Sequence, residues 1–237
     1  MRGTKGVRPV IPWLLLDTAR VPGGGELRLK RRGSEFSIML GSNELMNSRL
    51  SGSEKALATL SCERLRERPA PRILIGGLGM GFTLRAALAE LGPDARIVVA
   101  EIVPTVVAWA RGHMAPVFET SLDDPRVSIE VTDVGDLIRR SRSAFDAILL
   151  DVDNGPEGLS REANDGLYTL AGLHAARAAL RPGGVLVVWA SSPNRGFSQR
   201  LRQTGFRVDE VSVRATDSGG GARHVLWLAT PSRPGVA

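Results

Sequence analysis

Between Arg72 and Ala229 the chain alternates short apolar runs with amphipathic stretches, and no other feature restricts its fold so tightly. A run of consecutive aliphatic residues reads as a strand buried on both faces. Such strands, when separated by helices, form a parallel sheet covered on both sides. Seven strands are expected: RILIG (72–76), RIVVAE (96–101), VSIEV (127–131), FDAILLDV (145–152), VLVVWAS (185–191), FRVDEVSV (206–213) and HVLWLA (224–229). Helices are expected at about 82–91, 104–114, 134–141, 167–180 and 194–204. The last two strands are joined only by DSGGGAR, which is too short for a helical crossover, so the last strand should run antiparallel to its neighbour.

The residues before this region follow a different pattern. WLLLDTARV, ELRLKRR and EFSIML are strand-like runs broken by Pro22-Gly23-Gly24-Gly25 and Gly33, which predicts a three-stranded meander within about 10–50. Ala56, Leu57, Leu60 and Leu65 recur at helical spacing, which predicts a helix over 53–66 that Pro69 and Pro71 terminate. The expected division is an N-terminal β element with its helix at 1–67, a larger α/β domain at 68–232 and a tail at 233–237. A length of 237 residues accommodates one well-buried core plus this small accessory element.

Composition narrows the function classes. Cys62 is the sole cysteine, which excludes an internal disulfide or a cysteine-based zinc cluster and fits a cytoplasmic location. The apolar run Trp13 to Leu16 is short and follows Pro9 and Pro12, so neither a signal sequence nor a membrane span is expected. The formal charge of +6 raises the question of nucleic acid. The 28 arginines are scattered, however, and few aromatic residues are present for base stacking, so a solvated basic face is the expectation.

The residues that can carry chemistry follow the strands. The first strand of the α/β region runs into GGLGMGF and then a helix, so backbone N–H groups converge where an anion or nucleoside can sit. The dinucleotide pattern GxGxxG requires glycine where Phe82 or Leu84 stands, which argues against NAD. Glu101 ends the next strand 20 residues after Gly81, a position from which a carboxylate accepts both hydroxyls of a ribose. Asp133 follows the third strand and suits either an adenine amino group or the cap of the helix starting at Val134. LLDVDNGPEG places Asp151 and Asp153 at the carboxyl edge of the sheet, as catalytic carboxylates or as part of an Asx turn with Asn154. Met80 suits either the ligand or the core. The three histidines, 113, 174 and 224, have no ligand spacing, so no metal site is expected.

ILIGGLGMGFTLRAAL, VVAE, DPRVSIEVTD, FDAILLDVDNGP and LYTLAGLHAARAALRPGGVLVVW together resemble the spermidine synthase-like branch of the class I S-adenosylmethionine-dependent methyltransferase superfamily, over roughly residues 70–190. The resemblance implies a Rossmann-like fold and an S-adenosylmethionine or decarboxylated S-adenosylmethionine site. That site would be formed by Gly77, Gly79, Met80, Gly81, Glu101, Ile102, Asp133, Val134 and Asp151, with Asp151 as the catalytic carboxylate and Asp153 as its possible companion. Departures shape the functional expectation. Polyamine synthases carry GGGDGG, and Gly79 stands at the place of that aspartate. Losing a carboxylate that faces an ammonium tilts the expectation toward intact S-adenosylmethionine and methyl transfer to an amine or similar small nucleophile. Aminopropyl or aminocarboxypropyl transfer is the alternative, and a non-catalytic nucleoside-binding or assembly protein is the rival from another class. The Tyr-His pair of those enzymes has no counterpart, since Tyr168 is the sole tyrosine, and Trp189 replaces a usual glutamine. The expected partners are a small-molecule acceptor and a second copy through the N-terminal element, without membrane or nucleic acid.

Overall fold

The computed structural model describes residues 11–22, 24–152, 155–156, 166–216 and 221–232. Its N-terminal element is an antiparallel sheet of four strands in sequence order: β1 (Leu14–Arg20), β2 (Glu26–Arg32), β3 (Glu35–Leu40) and β4 (Asn43–Asn47). The fourth strand corrects the three-stranded expectation. NELMN is mostly polar and shows no apolar run, and its place is set by pairing with β3 rather than by its own pattern. The Ser37 hydroxyl donates to Glu44 Oε1 at 2.6 Å across that pair.

The helix α1 (Gly52–Glu63) buries Leu57, Ala58 and Cys62 and packs on the helix α2 (Phe82–Glu90). It ends three residues before the expected Arg66, because 64–67 form a turn ahead of Pro69. The larger sheet contains β5 (Arg72–Gly76), β6 (Arg96–Glu101), β7 (Val127–Val131), β8 (Phe145–Leu150), β9 (Leu180–Ala190), β10 (Phe206–Arg214) and β11 (Arg223–Pro231). Their order is β10-β11-β9-β8-β5-β6-β7, with β11 antiparallel to both neighbours and the other pairings parallel; the seven strands and the reversal of the last against the sixth are as the sequence predicts. Along β5, Ile73 and Ile75 join one buried cluster with α1, α2 and the N-terminal sheet, while Leu74 joins the cluster on the opposite face. This two-sided burial accounts for the unbroken apolar runs.

The expected helix over 104–114 is divided into α3 (Pro104–Arg111) and α4 (Ala115–Phe118). Gly112 leaves the helical region at ψ −102°, and Pro116 sits in the first turn of the second piece, where its missing N–H costs nothing. Further helices among the described residues are α5 (Val134–Arg140), α6 (Leu170–Ala179) and α7 (Arg195–Gln203). From β5 the chain winds outward through β6 and β7, then returns to lay β8 on the other side of β5. The carboxyl ends of β5 and β8 therefore flank the switch point of the sheet, where open α/β folds leave a crevice.

Candidate functional site

The loop between β5 and α2 is shaped by its glycines. Gly77, Gly79 and Gly81 have φ of 90°, 52° and 72°, which L side chains other than Asn and Asp rarely adopt. A Cβ on Gly77 would lie 2.5 Å from the Asp151 carbonyl oxygen, so this glycine lets the loop pass directly against the strand end after β8. A Cβ on Gly81 would lie 2.3 Å from the Phe118 ring, so the requirement there is packing against α4.

The same loop holds Glu101 by its backbone. The Leu78 N–H donates to Glu101 Oε2 at 3.0 Å, and the Val103 N–H donates to Oε1 at 2.9 Å. Burial pushes the Glu101 carboxyl above its usual range, while the amides of Val103, Leu78, Ile102 and Gly79 act in the opposite sense. Glu101 also lines the adjoining cavity, so this amide-held carboxylate presents acceptor oxygens to that space. Asp133 caps α5 through one oxygen, Oδ1, which accepts from Gly135 N at 2.6 Å and Asp136 N at 3.3 Å. Cap and cavity wall are thus compatible at Asp133, since Oδ2 carries neither bond.

Of the nine residues expected to meet the nucleoside, seven line this cavity: Gly77, Gly79, Glu101, Ile102, Asp133, Val134 and Asp151. Met80 and Gly81 face a neighbouring cavity instead, and Met80 is almost fully buried in the core. Sequence reasoning misses the cover of the first cavity. Val21, Leu27, Leu40 and Met46 of the N-terminal element, with Val106 of α3, supply its apolar wall. Their signal is ordinary strand and helix patterning, indistinguishable in sequence from core.

The second cavity, of about 290 Å³, adjoins the first through Gly79, Met46 and Asp151. Its acidic members are Glu44, Glu54 and Asp151, with Leu45, Leu50 and Trp189 among its apolar walls. Asp151 accepts from Thr83 Oγ1 at 2.7 Å. Desolvation and the nearby Glu54 carboxylate push the Asp151 carboxyl up to about 7, which the Thr83 hydrogen bond opposes. Its side chain is closely surrounded by protein yet keeps part of its surface open to the cavities. Thr83, Glu54 and the pair Ser53 and His224 also escape sequence reasoning, because a threonine and an acidic residue in first helical turns read as helix-start chemistry. Asp153 and Asn154 lie outside the described residues.

A Rossmann-like sheet with a glycine loop, an acidic end to its second strand and a carboxylate at the switch point defines an α/β protein whose crevice lies where open sheets of this kind bind ligands. Residues 65–204, more than half of the chain, match the family model described as the spermine/spermidine synthase domain, and the chain belongs to that family. It is 34% identical over 182 residues to the polyamine aminopropyltransferase of Mycobacterium tuberculosis strain H37Rv, covering 71% of this chain and 34% of that protein. It is 31% identical over 161 residues to polyamine aminopropyltransferase 2 of Pseudomonas aeruginosa, covering 63% of this chain and 43% of that one. The chain thus spans between about a third and less than half of these relatives' own lengths. Among solved structures, spermidine synthase from Thermotoga maritima superposes with a TM-score of 0.72 at 18% identity, over 91% of this chain and 72% of that one. A spermidine synthase in complex with the transition-state analogue AdoDATO superposes with a TM-score of 0.70, also at 18% identity and with the same coverage. These structural likenesses concern the fold. The expected family branch and fold class are both borne out.

Proposed function

We propose that the chain transfers an aminopropyl group from a decarboxylated S-adenosylmethionine-type donor to a small cationic amine. The observation that carries this reading is the second cavity, where Asp151 and Glu54 stand together beside apolar walls and open on the nucleoside cavity. Two nearby carboxylates favour an ammonium guest, because each raises the other's cost of ionisation and a cation between them relieves it. Family membership and the names of the relatives agree with this chemistry.

The residues fit such a donor. Glu101 lines the cavity as a carboxylate held by backbone amides, Asp133 keeps Oδ2 outside its cap bonds, and Gly77 and Gly79 line the same space without side chains. When bound, the sulfonium supplies an electron-poor carbon and a neutral thioether as leaving group. The task of Asp151 is to orient the acceptor amine and take a proton from its nitrogen, for which a carboxyl near 7 is well matched to neutral pH. Thr83 fixes the carboxylate's orientation from α2, and Glu101 fixes the nucleoside end.

Methyl transfer from intact S-adenosylmethionine is the second reading. Gly79 favours it, because the loop offers no carboxylate for the donor's ammonium. The family match does not support it. Product mass analysis with both donors and a panel of diamines separates the two. The first reading predicts an acceptor heavier by one aminopropyl group and release of methylthioadenosine; methylated acceptor with intact donor alone overturns it. Gly79→Asp sharpens the test, since aspartate tolerates the left-handed backbone and its Cβ meets the end of the unbranched Met46 side chain, with the sulfur at 3.0 Å. This variant should raise turnover with the decarboxylated donor relative to the intact one. Donor binding without turnover of any amine, unchanged in Asp151→Asn, would mark a non-catalytic protein instead.

A further inference from the structure

The second cavity contains a hydrogen-bonded chain that the proposed chemistry has not yet used. Ser53 Oγ donates to Glu54 Oε2 at 2.7 Å, and Ser53 Oγ also lies 2.9 Å from His224 Nδ1. A hydroxyl has one proton, and the carboxylate oxygen can only accept it, so the bond to the imidazole must be donated by Nδ1–H. The arrangement thereby fixes the tautomer of His224, leaving Nε2 as an unprotonated acceptor. Burial lowers the imidazole's basicity, in keeping with a neutral ring. Nε2 makes no hydrogen bond among the described residues, and it is not among their buried polar atoms without partners. His224 lines the cavity that also holds Asp151, and Trp189 packs edge-on against its ring at 4.8 Å, which restricts its rotation.

We infer that His224 Nε2, held in that tautomer by Ser53 and Glu54, is a contact residue for the acceptor amine and receives its first proton. The inference rests on the amine-acceptor reading of this cavity. A primary amine enters as an ammonium ion and has to lose one proton before its nitrogen can attack. That proton moves to Nε2, and the resulting imidazolium is stabilised through Nδ1–H and the Ser53 hydroxyl by the Glu54 carboxylate. The freed lone pair forms the new N–C bond while the C–S pair departs with sulfur. The secondary ammonium so formed gives its extra proton to Asp151. Both carriers then release their protons to solvent, so neither oxidant nor co-reactant is required. The titratable side chains lining this cavity among the described residues are Glu44, Glu54, Asp151 and His224.

Two measurements on the full chain test this. In a long-range nitrogen–proton correlation spectrum of the free protein, His224 should show the Nδ1–H tautomer, and added 1,4-diaminobutane should move its Nε2 resonance. The signal is assigned by its loss in His224→Asn, a variant that can retain the donor to Ser53 while removing Nε2. In kinetics, that variant should lower kcat/KM for the amine by about 10-fold to 100-fold, in the usual range for a lost proton acceptor, with nucleoside Kd within about twofold of the parent. Ser53→Ala should permit the other tautomer and lose part of the same activity. An Nε2–H tautomer in the parent, or amine kcat/KM within twofold in a folded His224→Asn, overturns the inference while leaving the transfer reading intact. If the parent transfers nothing, the transfer reading fails, and the diamine-induced Nε2 shift still decides whether His224 is an amine contact.

Discussion

The behaviour of single residues here depends on how completely their polar atoms are engaged. Asp151 has its carboxyl raised to about 7 from an ordinary 3.8. Between those pH values the native chain retains a proton that the unfolded chain has released. Stability therefore falls as pH rises through this window, and the cost is fully present above it. Asp151→Asn preserves an acceptor for the Thr83 hydroxyl and removes the charge. Its melting temperature should exceed the parent's most at about pH 8 and least at about pH 4, as a calorimetric series would show. The same variant should lose transfer activity by about 10²-fold to 10⁴-fold, the range for a removed general base. Gain of stability with loss of activity in one variant is what the general-base role proposed for Asp151 implies.

At the scale of elements, the acidic residues at the two ends of β8, Asp146 and Asp151, have different fates. Asp146, in β8, is almost fully buried and lies at the amino end of its strand, within 3.1 Å of Arg68 and 2.9 Å of Arg181. It also accepts from the Arg72 N–H at 2.8 Å, tying the starts of β5 and β8 together. Asp146→Ala should lower stability by about 1–3 kcal/mol in denaturant unfolding, the cost of an unmet buried donor, and leave nucleoside affinity unchanged. Sequence alone ranks Asp146 and Asp151 similarly, as acidic residues on one apolar strand. The direction of the strand separates them, because ligands meet the carboxyl end. The parallel strands and the helix after the glycine loop were legible because two-sided burial forces continuous apolar runs. β4 was not, because NELMN owes its strand to the pairing offered by β3. The division between α3 and α4 was obscured because one apolar stripe continues across Gly112, with Trp109, Met114 and Phe118 all buried on it.

Across the whole molecule, the N-terminal sheet acts as the cover of a site whose floor belongs to the larger sheet. Trp109 Nε1 donates to Asp17 Oδ2 at 2.7 Å, linking α3 to β1, and Met46 of β4 reaches both cavities. The glycine loop, Glu101 and Asp151 were visible from sequence because strand ends and turn residues announce themselves. The cover and the Glu54–Ser53–His224 chain were not, since residues separated by up to 171 positions meet only in the fold. Met46→Ala should weaken nucleoside binding by about 3-fold to 10-fold through lost apolar contact, read as Kd by calorimetry. Part of the arginine complement is paired with carboxylates, as in Arg126–Asp124, Arg139–Asp136 and Arg140–Glu130. No helix of the described residues is long and apolar enough to cross a membrane.

In the proposed function, backbone amides and Glu101 at the carboxyl edge of β5 and β6 hold a thioadenosine. Isothermal titration of the purified protein with methylthioadenosine, compared with Glu101→Gln, tests it most directly. Both Glu101 oxygens accept from backbone N–H groups, so glutamine must turn an NH₂ toward one of those donors and also loses an acceptor for the sugar. Saturable binding to the parent is expected, with affinity at least about 10-fold weaker in the folded variant, as for lost hydrogen bonds to a charged acceptor. Absence of binding heat at several temperatures, or equal affinity in parent and variant, would contradict it.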